Sequence, residues 1–196
     1  MLVYGDRSRS ADPRERLGVL AATLRAAGSD PPGRARQDRL TEAFIDAGML
    51  AQGVADAEFE VRGFDDGSPA QDAAMALLLA LARGVSADAE LRALVALPLP
   101  ERVALKTPEG YAFYAVYPQA YFAAAAGYAW PEPPLVIGLR SIGTGLAAMV
   151  AVASPARGVI TVRPTGHPFR REVKVSDRLK ARLAAHTGPF AIVDEG

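Results

Sequence analysis

The 196-residue chain has no cysteine. Disulfides and thiolate zinc sites are therefore excluded, and the redox compartment stays undetermined by that count alone. The chain also lacks a charge bias, since 22 basic and 22 acidic side chains cancel. That balance argues against bulk electrostatic attraction to nucleic acid or membranes, although local basic patches remain allowed. No apolar run reaches membrane-spanning length without an interrupting Gly, Pro or charge. The opening residues Met1-Leu2-Val3-Tyr4-Gly5-Asp6-Arg7 lack the charged-then-apolar order of a secretion signal. These absences lead to the expectation of a soluble, cytoplasmic protein. What the chain does have is apolar matter: 50% of its residues are hydrophobic, enough for one domain of ordinary size or a core with a small cap.

One stretch organises the rest, Leu135-Val136-Ile137-Gly138-Leu139-Arg140-Ser141-Ile142-Gly143-Thr144-Gly145-Leu146. Its apolar start reads as a buried strand. A small-residue turn carrying one arginine follows, and then an Ala/Val/Met-rich run that reads as a buried helix. Such a corner aims backbone N–H groups and the positive helix end at one point, a natural seat for a phosphate. Arg140 in the turn would add a two-pronged donor. The plainer reading is a tight corner whose glycines serve packing. A P-loop is excluded, because Thr144 and Gly145 stand where its lysine and hydroxyl belong. The dinucleotide fingerprint fails at Leu139-Arg140. A nucleophile elbow at Ser141 fails at Leu139, where a small residue is needed, and this disfavours a hydrolase built on Ser141 with His167 and an acid.

Along the chain, Asp12-Pro13-Arg14-Glu15 reads as a helix start, with Leu17, Leu20 and Leu24 on one face and Gly28 as the stop. After a Pro/Gly/Arg loop, a second helix is expected over 37–50, and a short strand over 58–64. Ser68-Pro69-Ala70-Gln71 repeats the start signal for a buried helix over 70–83. Asp65 and Asp66 suit either a metal or the helix N-terminus, which favours acids. A short helix fits 87–97. The runs 102–107 and 111–117 around Pro108-Glu109-Gly110 predict a β-hairpin. An alanine-rich helix over 119–128 and the stiff linker Trp130-Pro131-Glu132-Pro133-Pro134 lead into the central strand. Beyond the helix over 144–153, a strand is expected over 159–162, a basic loop over 163–171, a helix over 177–186 capped by Ser176, and a strand over 190–193. Continuous apolar strands alternating with helices predict a parallel sheet. Its strand ends would bring Arg140 and Ser141, Arg163 and His167, and Asp194 and Glu195 to one rim, where such sheets bind ligands.

These residues resemble the type I phosphoribosyltransferases. Residues 136–146 are similar to that family's pyrophosphate loop, with Arg140, Ser141, Gly143 and Thr144 as its binding residues. Residues 166–171 look like its flexible loop, and 190–195 like the start of its phosphoribosyl-pyrophosphate motif. Arg140-Ser141-Ile142-Gly143-Thr144 followed by Arg163-Pro164, Gly166-His167-Pro168-Phe169 and Arg171 resembles more closely a bacterial subgroup of phosphoribosyltransferase-like proteins. The resemblance covers 102–196. It implies an α/β fold with an incomplete parallel core over 101–196, preceded by a mainly helical cap over 1–100. In the family the acid pair is followed by a small-residue loop that cradles the 5′-phosphate, so the C-terminal part of the core is expected to be missing here.

The implied activity is transfer of a phosphoribosyl group between pyrophosphate and an acceptor, with Mg²⁺ chelated by the substrate. Arg140 and 141–144 would hold pyrophosphate. Arg163, Arg170 and Arg171 would cover it, with His167 as general acid or base and Arg171 beside it. Asp194 and Glu195 would hold the ribose hydroxyls. No protein-held metal is assigned. The alternative is a non-catalytic nucleotide- or phosphosugar-binding module, or a subunit of a larger assembly. The expected partner is a phosphorylated sugar or nucleotide, without a membrane; nucleic acid is disfavoured despite the seven basic side chains of 163–182, and a homodimer is left open.

Overall fold

A computed structural model describes residues 7–167 and 169–194. The chain begins with β1 (Arg7–Ala11) and α1 (Pro13–Ser29). The Asp12 carboxylate caps α1, accepting from Arg14 N–H at 2.7 Å, and Pro13 fills the first helical position, where no N–H is needed. Leu17 and Leu20 point inward; the helix runs one residue past Gly28.

The helix α2 (Arg34–Arg62) is 29 residues long, more than twice the expected 37–50. It ends at Gly63, whose φ of +79° closes the last turn and lets its N–H donate to Phe59 O at 2.7 Å. The strand expected over 58–64 is therefore corrected to the end of this helix. Once a helix is nucleated, each added residue contributes a hydrogen bond, and nothing between Leu50 and Gly63 stops it. Glu58 and Arg62 pair across one turn at 3.1 Å, while Val61 stands 88% exposed, on no sheet face.

The Ser68 hydroxyl caps α3 (Pro69–Ala82), accepting from Gln71 N–H, and α4 (Asp88–Val95) follows. The strand β2 (Val103–Thr107) forms, but the hairpin expected around 108–110 does not. Its partner is β1, antiparallel, with Arg7 opposite Thr107 and Ala11 opposite Val103. Pro108 instead leads into the short helix α5 (Glu109–Phe113). Residues far upstream take the strand edge that the aromatic run was expected to fill. The helix α6 (Pro118–Gly127) precedes β3 (Leu135–Leu139), α7 (Gly143–Ala153) and β4 (Gly158–Val162).

The segment expected as a basic loop is a two-stranded ribbon, β5 (Pro164–His167) and β6 (Arg170–Val173), with His167 opposite Arg170. Gly166 permits it: its φ is +87°, and a Cβ there would lie 2.9 Å from Arg170 O. The chain closes with α8 (Asp177–Ala184), capped by Ser176, and β7 (Phe190–Val193).

The central sheet is small, wholly parallel and ordered β4-β3-β7, so the fold is mixed α/β as expected. β7 is an edge strand that leaves Phe190 and Ile192 exposed. The helix α7 is the pivot of the packing, with residues 143–150 all buried. Its Leu146, Ala147 and Val150 pack on the sheet side with Val136 and Val193. Its Ala148 and Met149 join the core of α1–α4 and β2. The glycines of the β3–α7 corner answer to close approach. A Cβ on Gly138 would lie 2.2 Å from Gly143 O, and one on Gly143 would lie 2.6 Å from Val193 O. Among the described residues no helix is long and apolar enough to cross a membrane.

Candidate functional site

Because β3, β4 and β7 are parallel, their carboxyl ends share one rim. Leu139 lies opposite Val162, and Gly138 opposite Val193. The segments following them, Arg140-Ser141-Ile142, Arg163 and Asp194, are therefore neighbours, as the sequence pattern predicts. Arg140 N–H extends the β3–β4 pairing by donating to Val162 O at 2.9 Å; the Arg140–Ser141 peptide bond is cis.

The side chain of Arg140 does not face the open turn. It is fully buried (0% exposed), and its Nε donates to Asp56 Oδ1 at 2.8 Å. One Nη donates to the carbonyl and the hydroxyl of Thr161 at 3.3 and 3.2 Å, and the other to Asp65. The expectation that Arg140 holds pyrophosphate directly is corrected: a buried guanidinium requires internal carboxylates, and Asp56 and Asp65 supply them.

The same carboxylates gather further groups. Asp56 receives Gln52 Nε2, Arg163 Nη2 at 2.7 Å and, more loosely, Lys106 Nζ at 3.6 Å. Asp65 Oδ2 accepts from Arg163 N–H at 2.6 Å. Burial raises the Asp65 carboxyl above its ordinary range, against the opposing pull of Arg140 and of the Arg163 N–H. Three cations thus share two carboxylates, and the two cations on the outside, Lys106 and Arg163, keep 23% and 19% of their side-chain surface exposed.

Asp66 goes to Arg178, whose guanidinium donates to it at 2.8 and 3.1 Å and holds its carboxyl below the ordinary range. Of the two uses weighed for Asp65 and Asp66, neither is the main one, because both form ion pairs. Among the described residues no group of three or more His, Asp or Glu is placed to hold a metal ion.

At the start of α7, Thr144 N–H donates to Ser141 O, and Gly145 and Leu146 N–H donate to Ile142 O. Ile142 caps α7 and Gly143 opens it, so their N–H groups belong to the first turn, which a helix leaves without intrahelical partners. Thr144 is buried, with its hydroxyl unpaired. Ser141 lines a narrow cleft of about 10 Å³, room for a single water, with Gln52, Lys106 and Tyr111; the Gln52 Oε1 is buried without a partner.

Asp194 is exposed at the end of β7, and its carbonyl accepts from Tyr121 OH at 2.8 Å. Glu195 lies outside the described residues. His167, Arg170 and Arg171 stand at the far end of the ribbon, about 13 Å of strand beyond Arg163. His167 Nδ1 accepts from Phe169 N–H, Arg171 donates to Gly166 O, and Phe169 is 91% exposed. The structure therefore brings together Arg140, Ser141, Gly143, Thr144, Arg163 and Asp194, and it holds His167, Arg170 and Arg171 apart from them.

Sequence reasoning missed Asp56, Gln52 and Lys106. The available signal was Gln52 and Asp56 four residues apart in a run of alanine, glycine and valine, which on a continuous helix puts two polar groups on one buried face. Comparison with protein-family models, with curated proteins and with solved structures found no match.

Proposed function

We propose that this chain binds phosphoribosyl pyrophosphate, or a related phosphosugar or nucleotide, as its Mg²⁺ complex, and transfers the phosphoribosyl group between pyrophosphate and an acceptor. The observation that carries this reading is the shared rim, which sets the first turn of α7 between a cationic strand end and an acidic one. In this reading the N–H groups of Ile142 and Gly143, with the positive end of α7, receive the pyrophosphate oxygens. Lys106 and Arg163 add charge from the side. Asp194 accepts hydrogen bonds from ribose hydroxyls, and its hard oxygens also suit water bound to magnesium. The ribbon carrying His167, Arg170 and Arg171 closes over the ligand and excludes water. In the chemical step the bond from the anomeric carbon to pyrophosphate breaks as that to the acceptor forms, and the protein stabilises charge. Arg140 becomes a positioning residue that ties the rim to α2.

The engagement of Arg140 by Asp56 and Asp65 favours one second reading, a binding module without turnover. Calorimetric titration with phosphoribosyl pyrophosphate and Mg²⁺ tests both. Binding is expected, weakened about tenfold in Asp194→Ala by loss of a charge-assisted hydrogen bond, with plain pyrophosphate bound equally by both proteins. Binding without pyrophosphate release in the presence of acceptor bases would select the module. Failure to bind either ligand would remove the phosphoribosyl reading.

A further inference from the structure

A second cleft lies away from the rim, between the end of α1, the first turns of α2, the end of α3 and α6, with a volume of about 600 Å³. That is the size of a small-molecule site. Part of its wall is apolar, formed by Leu40, Phe44 and Met149, and Arg25, Arg36 and Arg83 also line it. The guanidinia of these arginines make no hydrogen bond or ion pair among the described residues. The acid among the lining residues is Asp88, which accepts from the Ser86 hydroxyl at 3.0 Å.

The start of α2 adds an independent sign of a missing negative charge. Its cap residue, Gly33, supplies no side-chain hydrogen bond, and its first turn holds no acid. The turn carries Arg34 and Arg36 instead, cations at the positive end of a helix 29 residues long, where the helix dipole opposes them. Arg34 is offset by Asp38 at 3.7 Å; Arg36, inside the cleft, has no such offset. An anion in the cleft would relieve Arg36 and face Arg25 and Arg83.

We propose that this cleft binds an amphipathic anion, a phosphate or carboxylate head held by Arg25, Arg36 and Arg83 with an apolar body against Leu40, Phe44 and Met149. Phe44 lines both this cleft and the narrow one beside Ser141, but the three arginines line only this one, and Arg36 is about 30 Å from Asp56 along α2.

The test is calorimetry on the full chain with decyl phosphate and decanoate below their micelle concentrations, beside decanol and inorganic phosphate. Decyl phosphate or decanoate is expected to bind at least about tenfold more tightly than either half-molecule, because head and tail act together. The triple variant Arg25→Gln/Arg36→Gln/Arg83→Gln, confined to side chains with surface exposure, is expected to weaken binding by about tenfold or more while unfolding at an unchanged urea midpoint. Asp194→Ala is expected to leave decyl phosphate binding unchanged, so failure here and failure of the phosphoribosyl reading are told apart. Equal affinity for decanol and decyl phosphate, indifference to the triple variant, binding only to anionic vesicles, or no binding of either amphiphile would each overturn the proposal.

Discussion

The chain places arginine after two neighbouring strands in opposite circumstances. Arg140, one residue beyond β3, is sealed from water between two carboxylates and a threonine. Arg170 and Arg171, carried out from β4 on the ribbon, stand in solvent. Both belong to glycine-marked connections, and a phosphate-seeking role suits either by sequence. The difference lies in what reaches them. Asp56 and Asp65, 84 and 75 residues before Arg140, come to it on α2 and the segment after it, whereas no carboxylate is described against the ribbon arginines. A loop arginine is thus a solvated surface charge or a structural post according to whether the fold delivers a distant acid to it.

The largest break in this comparison is Arg140→Ala. It leaves two buried carboxylates facing each other and is expected to cost about 3–5 kcal/mol in urea unfolding. Arg140→Lys recovers only part, since one ammonium does not span both acids as the guanidinium fork does. A smaller effect is expected for Arg178→Ala, about 0.2–1 kcal/mol, because its pair with Asp66 is solvent-screened. The ribbon pair Arg170→Ala/Arg171→Ala should change stability by less than about 0.5 kcal/mol while weakening phosphoribosyl pyrophosphate binding. A loss of stability there as large as that of Arg140→Ala would erase the contrast.

A pH series sharpens the same comparison. The folded Asp65 carboxyl is raised by burial. Its contribution to stability is therefore fully present below the unfolded pKa and is lost as pH rises through the folded one. Wild type is expected to gain on Asp65→Asn in urea midpoint as the pH falls from about 8 to about 4; an unchanged difference would mean that Arg140 holds Asp65 ionised throughout.

Local signals in the sequence were legible where the physics is local. Asp12-Pro13 and Ser68-Pro69 mark helix starts, because capping is decided within four residues. β3, β4, β7 and α7 were legible as continuous apolar runs. The length of α2 was hidden because its alanine-rich middle has no stop until Gly63. The partner of β2 was hidden because β1 lies 92 positions away, as the Arg102–Ser10 hydrogen bond between the segments preceding and within these strands shows. The rim was foreseen as a place, with Arg163 and Asp194 on it, but the buried role of Arg140 was not. An arginine and its future carboxylates, read one segment at a time, show no mark of meeting.

The double duty of α7 has a consequence for the order in which this protein assembles on the ribosome. The helices α1–α4 are complete by Val95, yet Ala148 and Met149 of α7 belong to their core. Gly48 waits for Gly145, which approaches it to within 3.6 Å of where a Cβ would sit. At ordinary elongation rates the interval is on the order of several seconds. Through it the nascent helical layer carries an apolar seam with no occupant, open to solvent until α7 emerges.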